Sequence, residues 1–232
     1  CEANRDVILG IKIRITQNLA GANVAQALRN AREAADATGL PLMVHPNDPE
    51  DFSLDDVLAE LKAGDIVTHC FHGMAGGVLD NDGRIRDSVK RAVDAGILLD
   101  VGHGRGSFDF DVAERALAEG VLPHTISSDL HVYNLHGPVF DLATTVSKFL
   151  LLGLDLPDAL RRCTAAPADV MRMKGQIGTL APGAQGDLAI FKLEEAPYTF
   201  VDSYDKTRRG DLRLVPTKVI KSGREVPAVA RG

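Results

Sequence analysis

Tryptophan is absent, and only three cysteines, Cys1, Cys70 and Cys163, occur in 232 residues. Thiols so few and odd in number build no disulfide framework, and they fit a reducing compartment. Basic residues are outnumbered: 26 Lys and Arg stand against 32 Asp and Glu, a net charge of −6, and no basic tract occurs. That speaks against nucleic acid as a partner. No apolar run approaches the ~20 residues that a membrane span needs, so no membrane partner is expected. The opening residues carry no secretory signal pattern, and the expected location is the cytoplasm. A dinucleotide fingerprint is missing too, because Gly102-His-Gly-Arg-Gly106 does not have the G-x-G-x-x-G spacing.

What is present is a repetition. Short β-prone runs end again and again in an ionisable group. Residues 8–15 carry Lys12, 41–44 run into His45, 66–68 into His69, 97–101 into Gly102-His103, and 125–128 into Asp129. Between them lie helical patterns. Residues 22–38 place Val24, Leu28, Ala31 and Ala35 at helical spacing, with Gly39 as the stop. Ser53 and Asp56 have the spacing of a capping box with Asp in place of Glu. Residues 84–95 and 109–119 read as helices, 138–152 as a long apolar helix, and 157–162 and 167–173 as two short ones. Strand–helix alternation with ionisable groups at the strands' C-terminal ends is how a parallel α/β barrel builds a site.

The alternation stops at Lys174. Residues 187–191 and 214–220 read as strands, and Lys221-Ser-Gly-Arg224 as a hairpin turn. The expected fold is α/β: a partial (β/α) barrel over residues 1–173 and a small β-sandwich annex over 174–232. Such a barrel usually takes ~250 residues. Roughly five units are legible, and the chain opens on Cys1 rather than Met, so it reads as the C-terminal portion of a longer protein.

His45 and His69 stand one strand–helix unit apart, and neutral imidazole is a strong zinc ligand. Asp129 can bind a metal through one oxygen and take a proton with the other. Lys12 cannot ligate as an ammonium, but it can as a carbamate formed with carbon dioxide. Each has a plainer alternative: a solvated strand lysine, hydrogen-bonded core or loop histidines, a turn-capping aspartate. His72, His131 and His136 lie in loops, and His124 precedes its strand and belongs at the opposite end. The order Lys, His, His, Asp on successive runs favours the joint reading.

That order resembles the amidohydrolase superfamily, with Lys12 on its fourth strand, His45 on the fifth, His69 on the sixth and Asp129 on the eighth. Ile177-Gly-Thr-Leu-Ala-Pro-Gly-Ala-Gln-Gly-Asp-Leu-Ala-Ile190 is similar to the superfamily's return into its β-sandwich. Gly10-Ile-Lys-Ile-Arg14, His69-Cys-Phe-His-Gly73, Ser127-Ser-Asp-Leu-His131 and Gly137-Pro138 resemble its dihydroorotase-like deacetylase branch. The resemblance implies a distorted (β/α)8 barrel, one or two zinc or other divalent ions, and hydrolysis of an amide or ester. By implication a carboxylated Lys12 bridges the metals, His45 and His69 bind the second, and Asp129 binds the first and shuttles the proton. His103, His131 and Gly137 would line the pocket. The expected substrate is a small N-acyl or O-acyl compound, with a cyclic-amide hydrolase and a non-catalytic barrel remnant as alternatives. A phosphate-binding barrel enzyme, suggested by Gly102–Gly106, is weakened because that loop does not run straight into a helix. A homo-oligomer stays open. One departure stands out: no His-x-His pair occurs upstream of Lys12. The strands that would carry it are expected either to have been truncated or to come from another polypeptide.

Overall fold

The structure, a computed structural model, describes residues 1–47 and 52–226. The loop expected after His45, with Asp48 and Pro49, lies outside the described residues, as does the end of the annex from residue 227. Strands β1 (Ile11–Thr16), β2 (Leu42–Asn47), β3 (Ile66–Val67) and β4 (Leu98–Leu99) form a parallel sheet in that order. β1 begins later than its apolar run, because residues 5–7 form a turn.

The fifth run is present as a single parallel bridge, Asp100 to Thr125, and not as a strand. Val101 N donates to Thr125 O and His103 N to Ser127 O, both at 3.1 Å. Ile126 N, on the run's other side, donates to Arg162 O at 2.9 Å.

Between β1 and β2 come α1 (Gln17–Ala20) and α2 (Val24–Thr38). α2 buries Leu28, Ala31 and Ala35, one face of a 3.6-residue repeat. Gly39 ends it at φ 64°, its N–H on Ala35 O and Asp36 O, a left-handed stop that glycine adopts without steric cost. α3 (Leu54–Ala59) has the expected capping box: Ser53 accepts from Asp56 N while Asp56 accepts from Ser53 N. α4 (Asp87–Asp94) and α5 (Phe110–Ala118) follow β3 and β4, and Asp109 caps α5. α6 (Leu142–Leu151) is shorter than its apolar run, because Asp141 caps it at Thr144 N. α7 (Leu156–Cys163) and α8 (Ala165–Val170) complete the helices. No helix among the described residues is long and apolar enough to cross a membrane.

The annex is an antiparallel sheet of β5 (Leu188–Val201), β6 (Thr207–Lys221) and β7 (Arg224–Val226). The expected hairpin at Ser222-Gly223 joins β6 to β7. β5 and β6 run much further than expected. β5 passes through Glu194-Glu-Ala-Pro197, a stretch of low strand propensity, and a register shift between Glu195 and Tyr198 accommodates it. Phe200 is buried, and Leu214 N bonds Ser147 Oγ of α6 at 2.8 Å. Beneath the sheets, Phe108 packs on Phe110 and Phe149 at 5.5 and 5.6 Å between ring centres.

Asp65 holds the strands' starting ends together. It is buried, and its carboxylate accepts from Leu42 N at 2.8 Å, from Lys62 N at 2.7 Å and from Arg32. Asp65→Ala leaves the buried Leu42 N–H unpaired and leaves the half-buried Arg32 guanidinium only its ion pair with Asp36 at 3.0 Å. A loss of about 2–4 kcal/mol is expected in urea unfolding; a loss below ~0.5 kcal/mol would show that water replaces the carboxylate.

Candidate active site

In β1, Lys12, Arg14 and Thr16 alternate with Ile11, Ile13 and Ile15. Lys12 pairs in register with Met43, and Arg14 with His45. Register partners on adjacent strands share a face, so Lys12, Arg14 and His45 stand on one side. Lys12 lies mid-strand and exposed, not at the strand's end. The burial that would favour its carbamate chemistry is therefore not provided by its two isoleucine neighbours. Arg14, which sequence reading passed over, stands beside His45 instead.

His45 and His69 meet edge to face, ring centres 4.0 Å apart. His69 Nδ1 lies 2.6 Å from Gly102 O. A carbonyl only accepts, so Nδ1 carries the hydrogen and Nε2 keeps its lone pair. Burial lowers the His45 pKa to about 3, helped by His69, Arg14 and Lys12. Burial also lowers that of His69, against the pull of Gly102 O and Asp129. Both rings are neutral bases at ordinary pH. Buried His72 adds a third imidazole, with Nδ1 lacking a partner among the described residues. Burial and His69 hold its pKa at about 4.

A carboxylate that sequence reading did not single out fixes this geometry. Asp100, 5% exposed, accepts hydrogen bonds from Thr68 Oγ1 at 2.7 Å, Thr125 Oγ1 at 2.6 Å and Ser127 Oγ at 2.9 Å. Ser127 Oγ in turn accepts from Gly102 N at 2.9 Å. The loop that holds His69 is thus tied to two other chain segments at once, at Thr68 and at the run with Thr125 and Ser127. Its signal was present: an acid in the apolar run Ile97-Leu-Leu-Asp-Val101, with hydroxyls ending two neighbouring runs. Gly102 sits at φ 44°, and a Cβ there would lie 2.7 Å from His69 Nδ1 and against Thr68 Oγ1.

Asp129 stands at φ 46° and His69 at φ 61°, in the left-handed region where a side chain costs of order 1–3 kcal/mol. Asn134 Nδ2 steadies Asp129 through its carbonyl at 2.9 Å. The Asp129 carboxylate lies over Gly104, where a Cβ would come within 2.9 Å of Oδ2. His131 is in the following turn, its Nδ1 accepting from Tyr133 N at 3.2 Å. Gly137 closes that turn on Asn134 O at 3.1 Å. His103 is a correction. It is 0% exposed, Nδ1 on Gly104 O at 2.9 Å and Nε2 on Lys148 Nζ at 2.7 Å, so it lines no open surface. His124 lies at the opposite end as expected, beside Gly64 and Gly96 in a cavity of about 570 Å³ that is remote from the imidazole pair.

The structure therefore brings together His45, His69 and Asp129, with Lys12 on the same face as His45. Among the described residues, no three His, Cys, Asp or Glu side chains stand as a metal-holding group. The donor chemistry of the pair nonetheless suits a metal. Both imidazoles are kept neutral, and His69 spends one nitrogen on a carbonyl, the arrangement that orients a ligating imidazole.

The depressed imidazoles also predict a pH dependence. Burial, with Lys148 adding to it, holds His103 at about 3. Each folded value lies below the ordinary 6.5, so the unfolded chain binds more protons. Stability is full above about pH 6.5 and falls as pH drops toward 4 and then 3. In NMR titrations, the ring Cε1 protons of His72 and His103 are expected to stay at neutral-form positions at pH 5. Protonation of either near its ordinary value would contradict this.

The Amidohydrolase family profile matches residues 4–226. A protein named Deacetylase from Enterococcus faecalis is 38% identical over 221 residues, 94% of this chain and 59% of that protein. Deacetylase Atu3266 from Agrobacterium fabrum is 35% identical over 228 residues, 98% of this chain and 55% of that protein. Among solved structures, an adenine deaminase superposes with a TM-score of 0.92 at 37% identity, covering 98% of this chain and 62% of its own. A dihydroorotase superposes at 0.88 and 33% identity, covering 98% of this chain and 59% of its own. The chain spans a little over half the length of the curated relatives it matches. Its parallel sheet and separate antiparallel sheet are those of the family's barrel enzymes. With nearly its whole length matched, the chain belongs to the amidohydrolase family.

Proposed function

We propose that this site serves a metal-dependent hydrolase that cleaves an amide or ester bond in a small N-acyl or O-acyl compound. The observation that carries the reading is the His45–His69 pair, 4.0 Å apart, with His69 Nδ1 locked on Gly102 O. His45, His69, Asp129 and a carboxylated Lys12 are the residues that would hold zinc or another divalent ion. A bound ion would supply Lewis acidity there, which would acidify water and polarise an acyl carbonyl. Asp129 is proposed to take the proton of the attacking water and deliver it to the leaving nitrogen or oxygen. Arg14 adds a fixed cation beside His45, suited to an oxygen that gains negative charge. His131 and Gly137 belong to the turn after Asp129 and would border the acyl compound. The names of the deacetylase relatives support an acyclic substrate. The dihydroorotase neighbour supports a second reading, hydrolysis of a cyclic amide.

Metal content per chain by elemental mass spectrometry tests the site. The chain is expected to hold about one zinc, and His69→Ala to lower its affinity by about 100-fold or more. Lys12→Ala should lose metal and activity, with partial rescue by a short carboxylic acid; full metal in that variant removes the carbamate. A chain that takes up no zinc even when supplied with it is the non-catalytic remnant. Product analysis with acyclic acyl compounds against dihydroorotate separates the two hydrolytic readings.

A further inference from the structure

We infer that the β5–β6 hairpin of the annex is a positioning element of the active site, and that Tyr204 at its tip is the residue through which it acts. The inference rests on the reading of His69 and Asp129 as site residues. Tyr204 Oη accepts from Gly73 N at 2.9 Å and donates to Gly106 O at 2.9 Å. Gly73 follows His69, and Gly106 follows Gly102, so one phenol ties together the loops after β3 and β4. Ser203 N donates to Phe108 O at 3.0 Å. Its Oγ accepts from Phe108 N at 3.3 Å and reaches Gly104 O at 3.4 Å. Asp202 is buried and accepts from Phe110 N at 2.9 Å, Tyr204 N at 2.8 Å and Lys206 N at 3.0 Å. One carboxylate therefore shapes the turn and seats it.

The base of the hairpin is held as firmly. Lys148 is fully buried, and its Nζ donates to Val201 O at 2.6 Å, to Pro138 O at 2.9 Å and to His103 Nε2 at 2.7 Å. His103 carries the contact on to Gly104 O. The loop 102–110 is thus bonded to the hairpin, directly or through this relay, at Gly104, Gly106, Phe108 and Phe110. The same loop supplies the Gly102 carbonyl that orients His69 and the bare Gly104 backbone under Asp129.

A sheet that merely covered the core would need only apolar contact and surface ion pairs. The annex has such a pair elsewhere, in Arg208 on Glu114 at 2.7 Å, at α5. The bonds from Tyr204 and Ser203 differ in kind. They end on the backbone of Phe108 and of glycines 73, 104 and 106, and the glycines have no side chains of their own to hold them.

The test uses the full chain with Tyr204→Phe, Ser203→Ala as a second variant should the first fail to fold, and Arg208→Met as the control. Two readouts are followed: the ¹⁵N imidazole signals of His69, which report the Nδ1–H tautomer, and the zinc dissociation constant against a chromophoric chelator. Tyr204→Phe and Ser203→Ala are expected to mix the His69 tautomers and weaken zinc binding by about tenfold. Arg208→Met is expected to lower the unfolding midpoint while leaving His69 unchanged. A folded Tyr204→Phe or Ser203→Ala with wild-type His69 signals overturns the inference. So does an Arg208→Met that moves them equally. If the wild-type chain binds no zinc, the metal reading fails by itself, and the tautomer signals alone decide the role of the hairpin.

Discussion

Everything at this site hangs on how the buried charge of Asp100 is satisfied. A carboxylate in an apolar sheet costs several kcal/mol unless its lone pairs are taken up. Here three hydroxyls take them up, from Thr68, Thr125 and Ser127, and each comes from a chain segment other than β4. Because Ser127 gives its hydrogen to Asp100, its oxygen is left to accept, and it accepts from Gly102 N. That bond sets the peptide after Val101, and through it the carbonyl on which His69 Nδ1 rests. One buried acid therefore decides which nitrogen of His69 is free.

The network also explains why unfavourable backbone survives here. His69 and Asp129 both hold positive φ, and neither residue type gains locally from it as glycine does. Such conformations persist where the surroundings over-determine them. His69 is held on one side by Gly102 O and packed on the other by His45. Asp129 is held by Asn134 through its carbonyl and sits over a glycine that leaves it room. The two-residue lengths of β3 and β4 belong to the same economy: the chain leaves the sheet early so that the next residues can turn their side chains across its end.

Much of this was legible in the sequence, and the reasons for the rest are physical. α2 announced itself through Leu28, Ala31, Ala35 and Gly39, and α3 through Ser53 and Asp56, because caps and 3.6-residue periodicity are local signals. The order Lys12, His45, His69, Asp129 put all four at the strands' C-terminal ends; His45, His69 and Asp129 come together there, while Lys12 lies nearer the start of β1. Register was not legible: only the pairing of Arg14 with His45 shows that Lys12 stands a full pleat back from the level of His45. The fifth run carried a strand composition, yet it pairs with the β4 segment only as the bridge Asp100 to Thr125, and Ile126 N on its other side bonds Arg162 O. His103 sat in a glycine loop of the kind that meets ligands. Its burial depends on Lys148, a residue 45 positions later in an apolar helix. Tyr204 gave no signal at all, since a tyrosine in a turn says nothing about which loops it will reach.

The electrostatics of β1 bear on the metal reading more sharply than any distance. Arg14 and Lys12 both oppose protonation of His45. The same two cations oppose any divalent ion placed at its free nitrogen, and at an exposed strand the effect is screened but not abolished. Arg14 cannot shed its charge at any ordinary pH. Conversion of Lys12 to a carbamate would replace a repelling ammonium by an anion with two donor oxygens on the same face. An unmodified Lys12 and a tightly bound metal at His45 are therefore opposed on electrostatic grounds. The carbamate and the metal site are thus coupled through Lys12, which stands one pleat back from Arg14 on the face that also carries His45 and is exposed to dissolved carbon dioxide.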